Sequence, residues 1–110
     1  MVGLNFSWDQ PVTTNHIIVW DRSQNSPDNN QINKLKIGFS DGTSMQDLDM
    51  VSGGPRCVDV VFPSKTVTRV QLIPTDASGS NGYKEVEIWA TGGLQYSGNS
   101  CSNRISRTPT

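Results

Sequence analysis

The stretch Lys34-Leu35-Lys36-Ile37-Gly38-Phe39-Ser40-Asp41-Gly42-Thr43 decides how this chain is read. Leu35, Ile37 and Phe39 alternate with Lys34, Lys36 and Gly38, the period of a strand with one buried and one wet face. Ser40-Asp41-Gly42-Thr43 closes the strand, because Asp-Gly readily supplies the positive φ that a tight hairpin turn requires. Ser44 to Met50 can then pair back across that turn.

The same alternation returns on both sides. Toward the N-terminus, Leu4, Phe6 and Trp8 alternate with Asn5 and Ser7, and Asp9-Gln10-Pro11 is expected to break the strand. His16-Ile17-Ile18-Val19-Trp20 follows, rich in β-branched and aromatic residues. Asp21 to Gln31 is polar, contains Pro27 and reads as a loop. Toward the C-terminus, Ser52-Gly53-Gly54-Pro55 is a loop, and Val58, Val60 and Phe62 mark a strand expected to end at Pro63. Val70, Leu72 and Pro74 mark the next, Thr75 to Gly82 a long polar loop, and Val86 and Ile88 the last strand, alternating with Glu85, Glu87 and Trp89. About seven strands with no helical pattern mean an all-β, antiparallel sandwich or barrel. Residues 1–90 are read as that module, and 91–110, rich in Gly, Ser, Asn and Thr, as a flexible tail or linker.

Composition narrows the function. The chain has 110 residues, one domain's worth, with 17% charged residues and a net charge of −1. No basic field is present to attract a phosphate backbone, so nucleic acid is not an expected partner. No apolar run approaches the ~20 residues of a membrane span. Met1 to Trp8 has neither the basic start nor the long apolar run of a signal peptide. Cys57 and Cys101 form no metal-binding pattern; two free thiols and a disulfide both remain open. Asn5-Phe6-Ser7 is a glycosylation sequon, meaningful only in a eukaryotic secretory setting.

Consecutive antiparallel strands send successive loops to alternate ends. The short turns Asp9–Thr14, Ser40–Thr43 and Pro63–Thr66 share one end, and the longer segments Asp21–Gln31, Asp49–Arg56 and Thr75–Tyr83 share the other. Long polar loops on one rim of a rigid scaffold are where binding usually sits. Trp20 ends its strand at that rim and Tyr83 stands just before the last strand. A flat aromatic can stack on a sugar ring while Asp21, Arg22, Asn25, Asn29, Asp76 and Asn81 supply hydrogen bonds. The competing reading makes Asp21 and Arg22 a loop anchor and Trp20 a cover for the sandwich.

No catalytic constellation is legible. His16, the only histidine, stands on a strand without a nucleophile motif beside it. The pairs Asp47/Asp49 and Glu85/Glu87 lie in very polar sequence, unlike a glycosidase dyad with one raised pKa. Gly53-Gly54 is followed by no Lys-Ser or Lys-Thr at phosphate-loop spacing.

Val19-Trp20-Asp21-Arg22 with its Asn-rich loop, Ile37-Gly38-Phe39-Ser40-Asp41-Gly42-Thr43, Val60 to Thr68 and Glu85-Val86-Glu87-Ile88-Trp89 together resemble discoidin-like domains. This is the galactose-binding-like group of coagulation factor 5/8 C-type domains and family 32 carbohydrate-binding modules, appended to fungal and bacterial PIG-L-like deacetylases and glycosidases. The resemblance runs from about Gly3 to Ala90 and implies a jelly-roll β-sandwich. Such modules open with some tens of residues that have no counterpart here, so the resemblance leaves three readings open: a truncated gene model, a processed fragment or a minimal variant of the module. The resemblance also implies a structural calcium ion, with the Glu85 carboxylate and the Lys84 carbonyl matching one half of its cage. No other cofactor is expected.

The expectation is a non-catalytic, extracellular carbohydrate-binding accessory module. Its partners would be a glycan or polysaccharide and a linked catalytic domain, and Trp20, Asp21, Arg22, Asn29, Asn81 and Tyr83 would form its ligand face. The alternatives are a structural or protein-interaction domain without a small ligand, or a fragment of a larger secreted hydrolase or deacetylase.

Overall fold

A computed structural model describes residues 3–21, 31–50, 56–77, 82–91 and 101–110. Among them the alternating stretches form strands β1 (Leu4–Asp21), β2 (Ile32–Phe39), β3 (Ser44–Asp49), β4 (Cys57–Ala77), β5 (Tyr83–Ala90) and β6 (Arg104–Ser106). Their order is β3-β2-β4-β1-β5, with β6 along β4. Every pair is antiparallel except β4 with β6, which is parallel.

The two long strands organise everything else. Leu4–Ser7 of β1 pairs with Arg69–Leu72 of β4, and that part of β4 also pairs with β2. His16–Trp20 of β1 pairs with Cys57–Val61 of β4 on one side and with β5 on the other. The sheet therefore has two halves, β3-β2-β4-β1 and β6-β4-β1-β5, with β1 and β4 running from one into the other. The change of half falls at register shifts between Ser7 and Val12 and between Thr14 and His16. Bulges of this kind turn a strand from one packed layer into the next.

This accounts for the two breaks expected at Asp9-Gln10-Pro11 and at Pro63. Both fall at those shifts, where a proline's missing N–H costs no ladder hydrogen bond. Pairing then resumes in the same strands, with Thr14 opposite Lys65 and His16 opposite Val61. The expected turns at Asp9–Thr14 and Pro63–Thr66 are corners within continuous strands. Ser40–Thr43 is a true turn: Gly42 has φ 90°. Asp41 Oδ1 accepts from Thr43 N at 3.0 Å and from Thr43 Oγ1 at 2.7 Å. Lys65 Nζ meets Asp41 Oδ2, which brings this turn to the corner of β4.

One apolar core lies between the halves. It joins Ile17 and Val19 of β1, Leu35 and Ile37 of β2, Met45 and Leu48 of β3, and Val58, Val60, Val70 and Leu72 of β4. Each such side chain contributes roughly 1.5–3 kcal/mol on full burial. Phe39 and Phe62 bridge the two halves of β4's environment with ring centroids 5.4 Å apart. Leu4, Phe6 and Trp8 are only partly buried and pack at its margin. The molecule is thus an all-β, sandwich-like fold, as its alternation implies.

A second, smaller cluster of Ile18, Trp20 and Cys57, with Cys101 against it, lies on the opposite face of the β6-β4-β1-β5 half. Cys57 and Cys101 are joined in a disulfide, Cα atoms 6.1 Å apart. Residues 101–110 are therefore not the free tail expected over 91–110; residues 92–100 lie outside the described residues. Asp59, Val60 and Val61 pair with Arg104, Ile105 and Ser106. Asn103 Nδ2 donates to Asp49 O at 2.8 Å and to Cys57 O at 2.9 Å. Ser44 and Thr110 exchange both backbone hydrogen bonds at 3.0 Å. Apart from Ile105, which packs against the core, the anchors are a covalent bond and polar contacts, which is why the segment shows no apolar stripe in sequence.

Candidate functional site

The stumps of the three long polar segments meet at one end of the sandwich, as the alternation of loops requires. Asp21 and Ile32 bound the first, Met50 and Arg56 the second, Ala77 and Tyr83 the third. Asp21 N donates to Arg56 O at 2.9 Å. Asp21 Oδ2 accepts from Ile32 N at 2.9 Å and from Arg56 Nε at 3.1 Å. Arg56 also donates to Ile32 O. Met50 N donates to Asn33 O at 3.0 Å, Ile32 pairs with Ala77, and Asp21 pairs with Tyr83. Three segments far apart in sequence are thus rooted on one carboxylate–guanidinium pair.

That pair is inside the protein. Asp21 is fully buried and Arg56 is 4% exposed. A buried charge is tolerable only when paired and hydrogen-bonded, and here the partner and the backbone donors are both in place. Asp21 is therefore a root of the rim, and its side chain is turned away from any ligand arriving from solvent. The partner it was expected to find, Arg22, lies outside the described residues, as do Asn25, Asn29 and Asn81.

Trp20 is 6% exposed and packs with Ile18 and Cys57, opposite Cys57 on β4 and Glu85 on β5. Its ring covers the sheet and is not an open stacking shelf. Tyr83 differs. It is half-buried at the opening of β5, and its hydroxyl is pushed up to about 12 by burial, with the neighbouring Asp21 carboxylate adding to the effect. Among the described residues expected at the rim, this tyrosine is partly open to solvent and Asp76, near the end of β4, is exposed.

The calcium expectation rests on Lys84 and Glu85. Lys84 is exposed and Glu85 half-buried, next to each other at the start of β5. Among the described residues no three His, Cys, Asp or Glu side chains gather at one point. Two oxygens do not make the six or more that calcium takes.

The histidine has a partner that its sequence context does not reveal. His16 Nε2 lies 2.6 Å from Asp59 Oδ1, and Asp59 Oδ2 accepts from Arg104 at 3.0 Å. His16 and Asp59 are 2% and 3% exposed, and His16 Nδ1 is buried with no hydrogen-bond partner. A base oriented by a carboxylate needs a nucleophile on its other nitrogen. Both cysteines are in the disulfide, and no hydroxyl reaches that nitrogen among the described residues. The group ties β1, β4 and β6 together. Arg56, Asp59 and Arg104 were not singled out by the sequence: each sits at a strand end or within an apolar run, where alternation says nothing about cross-strand polar pairing.

With the rim and its roots described, a family model for a domain of unknown function, DUF7402, matches residues 2–89. The chain belongs to the DUF7402 family. The family match takes in β1 through nearly all of β5, hence every stump of the rim, and ends before β6 and Cys101. No curated protein and no solved structure matches the chain.

Proposed function

We propose that this DUF7402 domain is a non-catalytic carbohydrate-binding accessory module whose ligand face is the rim formed by the three long polar segments. The observation that carries the reading is that the buried Asp21–Arg56 pair holds Ile32 directly and Tyr83 by backbone pairing, with Met50 and Ala77 joined to it through Asn33 and Ile32. A rigid root under Asn-, Asp- and Ser-rich segments suits recognition of hydroxyl groups, since such side chains both donate and accept. Tyr83 is the aromatic contact of that face, with Arg22, Asn29 and Asn81 as polar contacts. Trp20 and Asp21 support the face from below. The geometry of His16, with one nitrogen on Asp59 and the other enclosed, supports the non-catalytic part. The disulfide supports an extracellular setting, where such bonds persist.

A glycan array on the purified chain, with calcium and with chelator, tests the reading. Expected is binding that Tyr83→Ala weakens about tenfold or more while the variant keeps its cooperative unfolding. Absence of binding by a folded wild-type chain would overturn the reading in favour of a structural or protein-interaction domain. That second reading draws on the burial of Trp20 and Asp21, which accounts for both without any ligand.

A further inference from the structure

The open face of the β3-β2-β4-β1 half carries a second arrangement, remote from the rim stumps. Its inner face is core. On the outer face, backbone pairing sets Ser44, Gly38, Gln71 and Asn5 in one row across four strands. In the flanking rows Lys36 stands opposite Ile73 and Ser7 opposite Arg69. Gly38 contributes no side chain to the row, and a Cβ placed there meets no atom within 4 Å. The result is a hollow of about 180 Å³ whose lining includes Lys36, Gly38, Ser44, Arg69, Gln71 and Ile73.

Two features say what this hollow suits. The first is charge. Lys34, Arg56, Lys65 and Arg104 each have a carboxylate partner. Lys36 and Arg69, which flank the hollow, pair with no carboxylate among the described residues, although the chain as a whole has a net charge of −1. The second is the mixture of surfaces. Arg69 offers a planar fork to a carboxylate or sulfate, the Gln71 amide and Ser44 hydroxyl suit sugar hydroxyls, and Ile73 with the bare backbone of Gly38 offers an apolar floor to a ring's C–H face. We propose that this sheet face binds an acidic oligosaccharide, with Lys36 and Arg69 on its anionic groups and the pyranose ring over Gly38. The site is separate from the rim and stands or falls without it.

The full-length chain is titrated with an oligogalacturonide at about 0.15 M ionic strength, where weak long-range attraction is screened, and backbone amide shifts are followed by NMR. Expected is saturable binding with shifts centred on β2 and β4 around Gly38, and binding about tenfold weaker or more for a neutral oligosaccharide of equal length. Lys36→Gln with Arg69→Gln is expected to lose about tenfold or more. Gly38→Val, whose Cβ enters open space, is expected to do the same with thermal unfolding unchanged. Tyr83→Ala is expected to leave this binding intact, which separates the site from the rim. The proposal is overturned by lack of saturable binding, by binding that both face variants retain, or by loss on Tyr83→Ala alone. Equally tight binding of poly-glutamate or inorganic sulfate overturns the saccharide class.

Discussion

At the scale of single residues, Asp21 shows how a rim residue can matter without touching a ligand. Its carboxylate has a buried guanidinium and a backbone N–H as partners, so removing it strands Arg56 in the interior. Asp21→Ala is expected to lower the unfolding free energy by about 3–5 kcal/mol, measured by urea denaturation. A loss below about 1 kcal/mol, the range of exposed pairs, would contradict the root role. Asp41 is the exposed counterpart. Lys65 and then Thr43 hold its carboxyl well below the ordinary value of 3.8. The folded chain thus resists protonating it, so the stabilisation is present above pH 3.8 and is lost as the pH falls through the folded-state value. Asp41→Asn is expected to lower the melting temperature at neutral pH, and the gap to wild type is expected to close in strong acid. Tyr83 titrates the other way. Its raised value favours the neutral phenol in the folded state, so stability is intact below 10.0 and falls as the pH rises from there to about 12. Comparing the alkaline unfolding limb of wild type with Tyr83→Phe checks this, and coincident limbs would refute it. The identities Asp21 and Tyr83 were legible as rim residues from their places at strand ends. That Asp21 faces inward was not, because alternation places a side chain on a face without saying what covers that face.

At the scale of elements, the sequence separated correctly into strand and turn wherever a turn residue interrupts the pairing itself. Asp41-Gly42 is one such place. It misread Pro11 and Pro63, because the same residues that end a strand also mark the bulge at which a long strand changes layer. The distinction depends on whether a partner strand bends alongside, a non-local fact. Strand β6 was invisible for a related reason: it has three residues, parallel pairing and Ile105 as its single apolar anchor in the core. Its attachment to β4 can be dissected. Asp59 serves both His16 and Arg104, whereas the Arg104 side chain is 60% exposed. Arg104→Ala is therefore expected to cost no more than about 1 kcal/mol. Asp59→Ala, which leaves two nitrogens of His16 enclosed without a partner, is expected to cost about 3 kcal/mol. Equal costs for the two variants would show that β6, and not the histidine, is what Asp59 stabilises. Chemical denaturation of both side by side measures the difference.

At the scale of the whole molecule, the disulfide decides how much of the chain behaves as one cooperative unit. It closes a loop with a sequence separation of 44, from the first residue of β4 to just before β6. On the chain-entropy estimate, closing a loop of that length stabilises by about 4 kcal/mol, a large share of the roughly 5–15 kcal/mol available to a domain of ordinary stability. The same bond ties the Ile18–Trp20–Cys57 cluster to the segment that carries β6, so opening it frees Cys101 from that cluster as well as lengthening the free chain. Cys57→Ala with Cys101→Ala is expected to lower the urea midpoint by the equivalent of about 4 kcal/mol. It is also expected to raise hydrogen exchange at Asp59, Val60 and Val61, which pair with β6, more than at positions of the main core such as Ile37 and Leu72. The double variant keeps the β3-β2-β4-β1 half on this view, because the apolar side chains that fill that half come from β1 to β4. A loss below about 1 kcal/mol with unchanged exchange at Asp59–Val61 would mean that the backbone ladder and the Asn103 and Thr110 contacts hold the segment on their own. A loss spread evenly over both halves would mean that the two are a single folding unit, with the bent strands β1 and β4 carrying the effect from one layer to the other.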